Sequence, residues 1–233
     1  MGSTSENPRK NLKARAWISL GVLAVVMALL IFIPAGTVDY WEAWVYLFIF
    51  FGAAALTTGY VVRRDPGLLE RRMSGGPTAE KRTTQKVIML FTSLGFIALL
   101  VVPALDQRSG WSDVPPYVVL FGDALVAVGF YFIFLVYKEN TFASATVEVV
   151  ADQKVISTGP YAIVRHPMYA SGLLLLVGTP LGLDSYWGLI PLAGMLPFLI
   201  WRLVDEERFL EENLPSYKDY KKKVPYRLVP RIW

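Results

Sequence analysis

Ala16 to Val38 reads AWISLGVLAVVMALLIFIPAGTV, without one charged residue. A helix crosses a bilayer with roughly 17 to 25 apolar residues, whereas a signal-peptide core runs only about 7 to 15. The run is therefore expected to be a retained membrane helix, and it decides the fold class: an all-α, polytopic membrane helix bundle. Five further stretches share its character, at about 43–62, 87–105, 114–137, 167–183 and 185–203, the last two being the shortest. With the first, at about 16–36, they make six expected segments.

The composition agrees. Of 233 residues 54% are hydrophobic and 18% charged, too apolar a balance for an ordinary water-soluble domain. The absence of cysteine excludes disulfides, thiolate nucleophiles and cysteine-ligated metals. A single histidine excludes a multi-histidine site, so no metal is expected. Glu6 breaks the N-myristoylation pattern.

Charge distribution sets the expected topology. With the N-terminus inside, Arg9, Lys10, Lys13, Arg15, the connections 63–86 and 138–166 and the C-terminal tail all lie in the cytoplasm. Of 23 Lys and Arg only Arg108 then falls outside, while the outer connections carry Asp39, Glu42, Asp106, Asp113 and Asp184. This is the positive-inside pattern of an even number of spans with both termini cytoplasmic. The net charge of +4 is thus expected to serve topology and contact with anionic lipid headgroups, and no nucleic-acid partner is expected.

Residues 1–137 read as four helices, and 138–233 as a polar loop, a helical hairpin and a polar tail, the two parts forming one integrated membrane domain. Gly75, Gly76 and Pro77 punctuate the long inner loop. Asp123 interrupts the fourth segment in LFGDALVAVGF. An intramembrane carboxylate is a functional candidate by default, but its place near the outer third favours a structural role, by snorkelling or by pairing with another helix. From Lys138, KENTFASATVEVVADQKVISTGPYAIVR carries Val147, Val149, Val155 and Ile156 spread through it, and reads as ordered structure at the inner face.

The hairpin can be taken residue by residue. Pro167 suits the first turn of a helix and drives His166 out of the α region, so the helix starts at Pro167 with GPYAIVRH across its mouth. Gly172, Gly178, Pro180 and Gly182 on the first helix, and Gly188, Pro191, Gly194 and Pro197 on the second, are expected to allow close helix approach. The second helix ends in WRLVDEERFLEENLPSYKDYKKKVPYRLVP. There Arg202 and Glu206, and Glu207 and Glu211, stand four apart in a charged stripe. An antiparallel hairpin brings Arg165, His166 and Tyr169 beside Glu206 and Glu207. Helix-start N–H groups and Arg165 favour an anion, and the carboxylates with the rings of Tyr161 and Tyr169 favour a cation. A zwitterionic ligand suits both halves, and so does mutual neutralisation of these charges at a headgroup anchor; the residues alone leave both readings open.

GPYAIVRHPMYASG, followed about forty residues later by DEERFL and then by YKDY and VPYRLVP, resembles the isoprenylcysteine carboxyl methyltransferase family and its relatives the phospholipid N-methyltransferases. The likeness covers about 139–233, including ENTFASATVEV and KVISTGPY, while the first four helices match only in being hydrophobic. That family is integral to membranes and uses S-adenosyl-L-methionine without a Rossmann domain, on the cytosolic side of the terminal hairpin under the C-terminal segment. The resemblance implies that Gly159, Pro160, Tyr161, Arg165, His166, Pro167, Tyr169, Glu206 and Glu207 shape the cofactor pocket, with Arg165, His166 and Glu207 as the catalytic candidates. It also implies Arg165 and helix-start amides for the methionyl carboxylate, a glutamate for the ammonium or ribose hydroxyls, and His166 for the amino-acid part or the adenine edge. Two departures stand out: Gln153 where many relatives place a histidine before GPY, and NLPSY where glycine is common.

Methyl transfer is an in-line displacement at a sulfonium carbon, so a dry pocket that aligns sulfur, carbon and nucleophile supplies most of the catalysis. A carboxylate acceptor needs no base. An amine or thiol must lose a proton, which makes His166, Glu206 and Glu207 candidates for general base. The acceptor is expected to be lipophilic and to arrive from the bilayer: an isoprenylcysteine carboxylate, a phospholipid amine, another quinone-like or isoprenoid lipid, or a small volatile thiol. Two alternatives stand beside this reading. One is an NADPH-dependent sterol-reductase-like membrane enzyme, which carries a similar Arg-His-Pro-x-Tyr hairpin but usually follows the Tyr with a glycine and an acidic residue, where this chain has YASG. The other is a non-enzymatic lipid-binding membrane protein whose hairpin charges only set depth.

Overall fold

A computed structural model describes residues 8–75, 80, 82–147 and 153–233. Glu6, Gly76, Pro77 and Val149, each given a part in the sequence reading, lie outside the described residues. In chain order the helices are α1 (Pro8–Ala35), α2 (Trp41–Arg64), α3 (Pro66–Met73), α4 (Thr83–Ser109), α5 (Pro116–Glu139), α6 (Pro167–Gly182), α7 (Leu189–Asn213) and α8 (Tyr217–Lys223). A 3-10 turn, Gly159–Ala162, precedes α6, and no strand occurs among the described residues.

Local chemistry places the ends. Gly36 and Gly110 stop α1 and α4 in the left-handed region, at φ 69° and 62°, where a Cβ would be strained. Asp65 caps α3 by accepting from the Leu68 amide at 2.8 Å, with Pro66 in the first turn. Pro116 and Pro167 open α5 and α6, the latter as the sequence predicts.

Four helices, α1 from Asn11, α2, α4 and α5, are long and apolar enough to cross a membrane. The last two expected spans differ. With 16 residues α6 is about 24 Å long, less than the roughly 30 Å of a hydrocarbon core. The 25 residues of α7 are apolar only as far as Trp201, beyond which Arg202, Asp205, Glu206, Glu207 and Arg208 carry it out as a charged helix. The protein is thus an integral-membrane helix bundle with four full spans and a hairpin of shorter apolar reach.

The arms of the hairpin approach closely near the turn, where a Cβ on Gly188 would come within 2.5 Å of Pro180. α6 packs chiefly on α5, and α7 chiefly on α4. A Cβ on Gly122 would come within 2.4 Å of the Gly182 amide nitrogen, and one on Gly178 within 2.5 Å of the Gly122 carbonyl oxygen. These glycines therefore bring α5 and α6 together backbone to backbone. Gly172 and Gly194 meet nothing within 4 Å. The two arms of the hairpin lean on different neighbours, and the space between them opens toward the end away from the hairpin turn.

At the turn end of the hairpin the carboxylates divide. Asp106, 1% exposed, accepts from the amide and hydroxyl of Ser112, both at 2.7 Å, and from the Ser185 hydroxyl. It ties the α4–α5 connection to the hairpin turn. Asp123 is 2% exposed, and neither of its oxygens has a hydrogen-bond partner among the described residues, so it neither snorkels nor pairs as expected. Gly182 is the reason it fits: a Cβ there would lie 2.8 Å from Asp123 Oδ1.

Candidate active site

The wedge between α6 and α7 is a cavity of about 500 Å³. Its floor is the first turns of α6 and the facing turns of α7. The connection 140–147, residues 153–156 and the C-terminal tail cover it. Arginines pin this cover: Arg71 donates to the Thr141 carbonyl, Arg72 to Ser144 O at 3.0 Å, and Arg202 to Ala145 O at 3.1 Å. Tyr220 OH donates to Tyr161 O at 2.7 Å, and Asn140 donates to the Tyr161 hydroxyl at 2.8 Å. The GPY turn is thereby held between the end of α5 and α8. Gly159 takes φ 56° there, beside the Glu139 carboxylate.

The antiparallel hairpin brings the sequence-predicted residues together. Arg165 Nε donates to Glu207 Oε1 at 2.6 Å, and Arg227 Nε donates to Glu207 Oε2 at 2.8 Å. Arg165 Nη1 adds a bond to Val224 O at 2.8 Å. The tail is stitched alongside: the Arg165 amide donates to Tyr226 O at 2.9 Å and the His166 amide to Arg227 O at 3.0 Å. His166 Nε2 lies 3.4 Å from Glu207 Oε1 without hydrogen-bond geometry, and has no other partner among the described residues. Burial works to raise the Glu207 carboxyl, but the adjacent His166 ring and the bonds from Arg165 and Arg227 outweigh it and hold the group well below the usual carboxylate range. Glu207, 3% exposed, is therefore an ionised hub.

Glu206, one residue earlier and about 100° around the helix, faces the other way. It lines the cavity and accepts from Tyr169 OH at 2.6 Å. The structure thus sorts the predicted residues. Tyr161, Arg165, His166, Pro167, Tyr169 and Glu206 line the cavity, whereas Gly159, Pro160 and Glu207 stand behind the lining. Arg202 does not complete a stripe with Glu206. It turns to Glu80 at 2.8 Å and Gln85 at 2.9 Å, while Glu211 pairs with Lys221.

The sequence reading passed over several lining residues. Arg72 reaches the cavity from α3 and stacks over Tyr137, 5.4 Å from the ring centroid. Asn140, Tyr217 and Trp233 also line it. The tyrosines stood in the quoted YKDY, but nothing in the chain around Arg72 points to a residue seventy positions away. Tyr217 OH is buried without a partner among the described residues. Burial, with Glu207 and Glu206 nearby, pushes its phenol up, so it stays a donor. Burial likewise pushes Tyr161 up to about 12. The lining therefore carries the guanidiniums of Arg72 and Arg165, the Glu206 carboxylate and several tyrosines, and behind its surface two buried polar atoms, His166 Nε2 and Tyr217 OH, have no hydrogen-bond partner among the described residues. No cluster able to hold a metal occurs among the described residues.

Residues 117–216 match the family model described as phospholipid methyltransferase. The match begins in the first turn of α5, so the fourth expected segment belongs to the likeness together with the hairpin, and it contains every site residue predicted from sequence. The nickel-cobalt-cadmium resistance protein NccN of Alcaligenes xylosoxydans xylosoxydans is 23% identical over 141 residues, 58% of this chain and 62% of that protein. The aligned stretch spans less than two thirds of that relative's length. Residues 117–216, which include the α6 and α7 walls of the cavity, are thus similar to the phospholipid methyltransferase family.

Proposed function

We propose that the protein binds S-adenosylmethionine in the α6–α7 cavity and methylates a lipophilic acceptor, with the site and both termini on the cytoplasmic side. The observation that carries this is a cavity of about 500 Å³ whose lining holds both arginine and glutamate side chains, with two buried polar atoms of its lining residues unpartnered among the described residues. Its volume lies within the roughly 300–1,000 Å³ of small-molecule sites. When bound, the cofactor supplies a methyl group on a positively charged sulfur.

The chain's own residues then have distinct tasks. Arg72, Arg165 and the free amides at the start of α6 suit a carboxylate. Glu206 suits the ammonium or a pair of ribose hydroxyls. The rings of Tyr161, Tyr169 and Tyr217 surround a cation with π-faces and exclude water. His166 and Tyr217 provide the unspent hydrogen-bonding atoms. Glu207 touches nothing in the cavity. It acts by holding Arg165 and the His166 ring in place, as a positioning residue. For a proton-bearing acceptor, His166 would be the group placed to take the acceptor's proton. The imidazolium then sits 3.4 Å from the Glu207 carboxylate, which stabilises it. A carboxylate acceptor needs no such step.

Calorimetry in detergent with S-adenosylhomocysteine tests the reading. The wild type is expected to bind it, and Glu206→Gln and Tyr217→Phe to weaken binding while the thermal unfolding profile is kept. A folded wild type that does not bind refutes it.

A further inference from the structure

Residues 224–233 form a tail with two faces. The tail turns back on itself: Arg231 takes the left-handed region at φ 67°, the Trp233 amide donates to Val229 O at 3.2 Å, and the Arg227 and Leu228 amides donate to Trp233 O at 2.9 Å and 3.0 Å. One face closes the cavity, where Leu228 and Trp233 line it and Arg227 lies over the Trp233 ring, 5.1 Å from its centroid. The other face is bare. Val229 is 43% and Ile232 79% exposed, with Pro230 and Arg231 exposed between them. At the end of α8, Lys221 pairs with Glu211 and Lys222 with Asp219, whereas Lys223 and Arg231 have no ion pair among the described residues. Residues 224–233 include no acidic side chain.

Backbone bonds fix the level of this face. Tyr226 O and Arg227 O accept from the amides of Arg165 and His166, at the mouth of α6. The turn just before them rests on the end of α5: the Thr158 hydroxyl donates to the Glu139 carboxylate, and a Cβ on Gly159 would meet Glu139 Oε2 at 3.0 Å. The 24 residues of α5 make a helix of about 36 Å, which overruns a hydrocarbon core of roughly 30 Å. Glu139 therefore stands at headgroup depth, and the tail stands level with it. Ile163, between that turn and α6, is exposed at the same level.

We infer that the outer face of the tail seats in a layer of anionic lipid headgroups, with Val229 and Ile232 at the acyl boundary and Lys223 and Arg231 on the lipid phosphates, and that this seating holds the inner face on the cavity. Apolar side chains beside unpaired cations at headgroup depth are what an interfacial anchor presents. Each cation near an anionic surface strengthens attachment by about fivefold, and the tail has no carboxylate side chain to oppose it. Leu228 and Trp233 share one short turn with Val229 and Ile232, so lifting the outer face off the bilayer loosens the cover of the cavity. The inference concerns the tail and the bilayer, and holds whatever ligand the cavity takes.

The chain has no cysteine, so a single introduced one carries a nitroxide label alone. The test places the full chain in nanodiscs of phosphatidylcholine, with or without phosphatidylglycerol. At Ile232→Cys the label is expected to collide with dissolved oxygen more than with a water-soluble nickel chelate in the anionic discs, and to shift toward the chelate in the neutral ones. At Ser216→Cys, exposed between α7 and α8, the chelate is expected to dominate in both. In the unlabelled chain, with no ligand added, hydrogen exchange of the Leu228 and Trp233 amides is expected to be about tenfold slower in anionic than in neutral discs. Arg231→Glu is expected to abolish that difference and Arg231→Lys to keep it. A label at position 232 that stays in water in both discs, as a face meant for a soluble partner would, overturns the inference. Equal depth or equal exchange in the two lipids overturns it as well.

Discussion

Glu207 at the open, inner end of the bundle's hairpin and Asp106 beside the turn, its outer end, are both buried carboxylates that tie distant segments together, yet they are satisfied in opposite ways. Asp106 accepts from an amide and two hydroxyls, all neutral, and its surroundings leave nothing over. Glu207 accepts from two guanidiniums with an imidazole 3.4 Å away, and beside it His166 Nε2 and Tyr217 OH stay unpartnered. A latch needs only as many donors as acceptors. A surplus of charge and of unspent polar atoms, beside a cavity, is what separates the inner cluster from a structural tie.

The largest expected effect breaks the inner hub. Glu207→Ala leaves Arg165 and Arg227 without their shared partner, at a cost of about 3–5 kcal/mol, and is expected to abolish the monodisperse folded peak in detergent size-exclusion chromatography. At the outer end, Asp106→Ala is expected to cost about 1–3 kcal/mol for the stranded donors, read as a lower unfolding temperature with product affinity unchanged. Should the outer change reduce affinity as much as an inner one, the division of labour is wrong. Gly122→Ala belongs to neither end and tests the seam between α5 and α6. With its Cβ 2.4 Å from the Gly182 nitrogen, overpacking is expected to cost about 1–3 kcal/mol. Within the inner end, Glu206→Gln is expected to lose about tenfold, or about 1.4 kcal/mol, in product affinity by calorimetry with stability kept. That outcome separates the ligand-facing glutamate from the structural one.

The smallest effect is a pH dependence. The Glu207 carboxyl is held below its ordinary value of 4.5 in the folded state. It therefore contributes stability that is complete above that ordinary value and is lost as pH falls from there toward the folded value. Unfolding temperature is expected to drop below about pH 4.5 in the wild type and to drop less in Glu207→Gln. Equal acid sensitivity in the two proteins would remove Glu207 from that role.

What could be read in advance follows how local the cause is. Pro167 opens a helix because its own ring sets φ, and the long uncharged runs cross the membrane because hydrocarbon accepts nothing else. The meeting of Arg165 and His166 with the DEER run followed from antiparallel pairing alone. The hairpin glycines announced close approach without naming the partner, which is α5 for Gly178 and Gly182 and Pro180 of the same hairpin for Gly188. Asp123 misled because depth in the membrane does not reveal whether a neighbouring helix offers a donor. Arg72 stayed hidden because α3 reaches the cavity only through the packed bundle.

The sequence by itself determined that the chain lives in a bilayer, that a proline-started hairpin carries the charged residues, and that these meet at one end. Each of those follows from hydrophobicity, backbone restriction or a short connection, which act over a turn or a span. Only the tertiary structure decided that Glu206 faces the cavity and Glu207 a pair of arginines, and that the arms of the hairpin part to make that cavity. Neighbouring residues on a helix point about 100° apart, and which of them meets empty space depends on what the rest of the bundle has already filled.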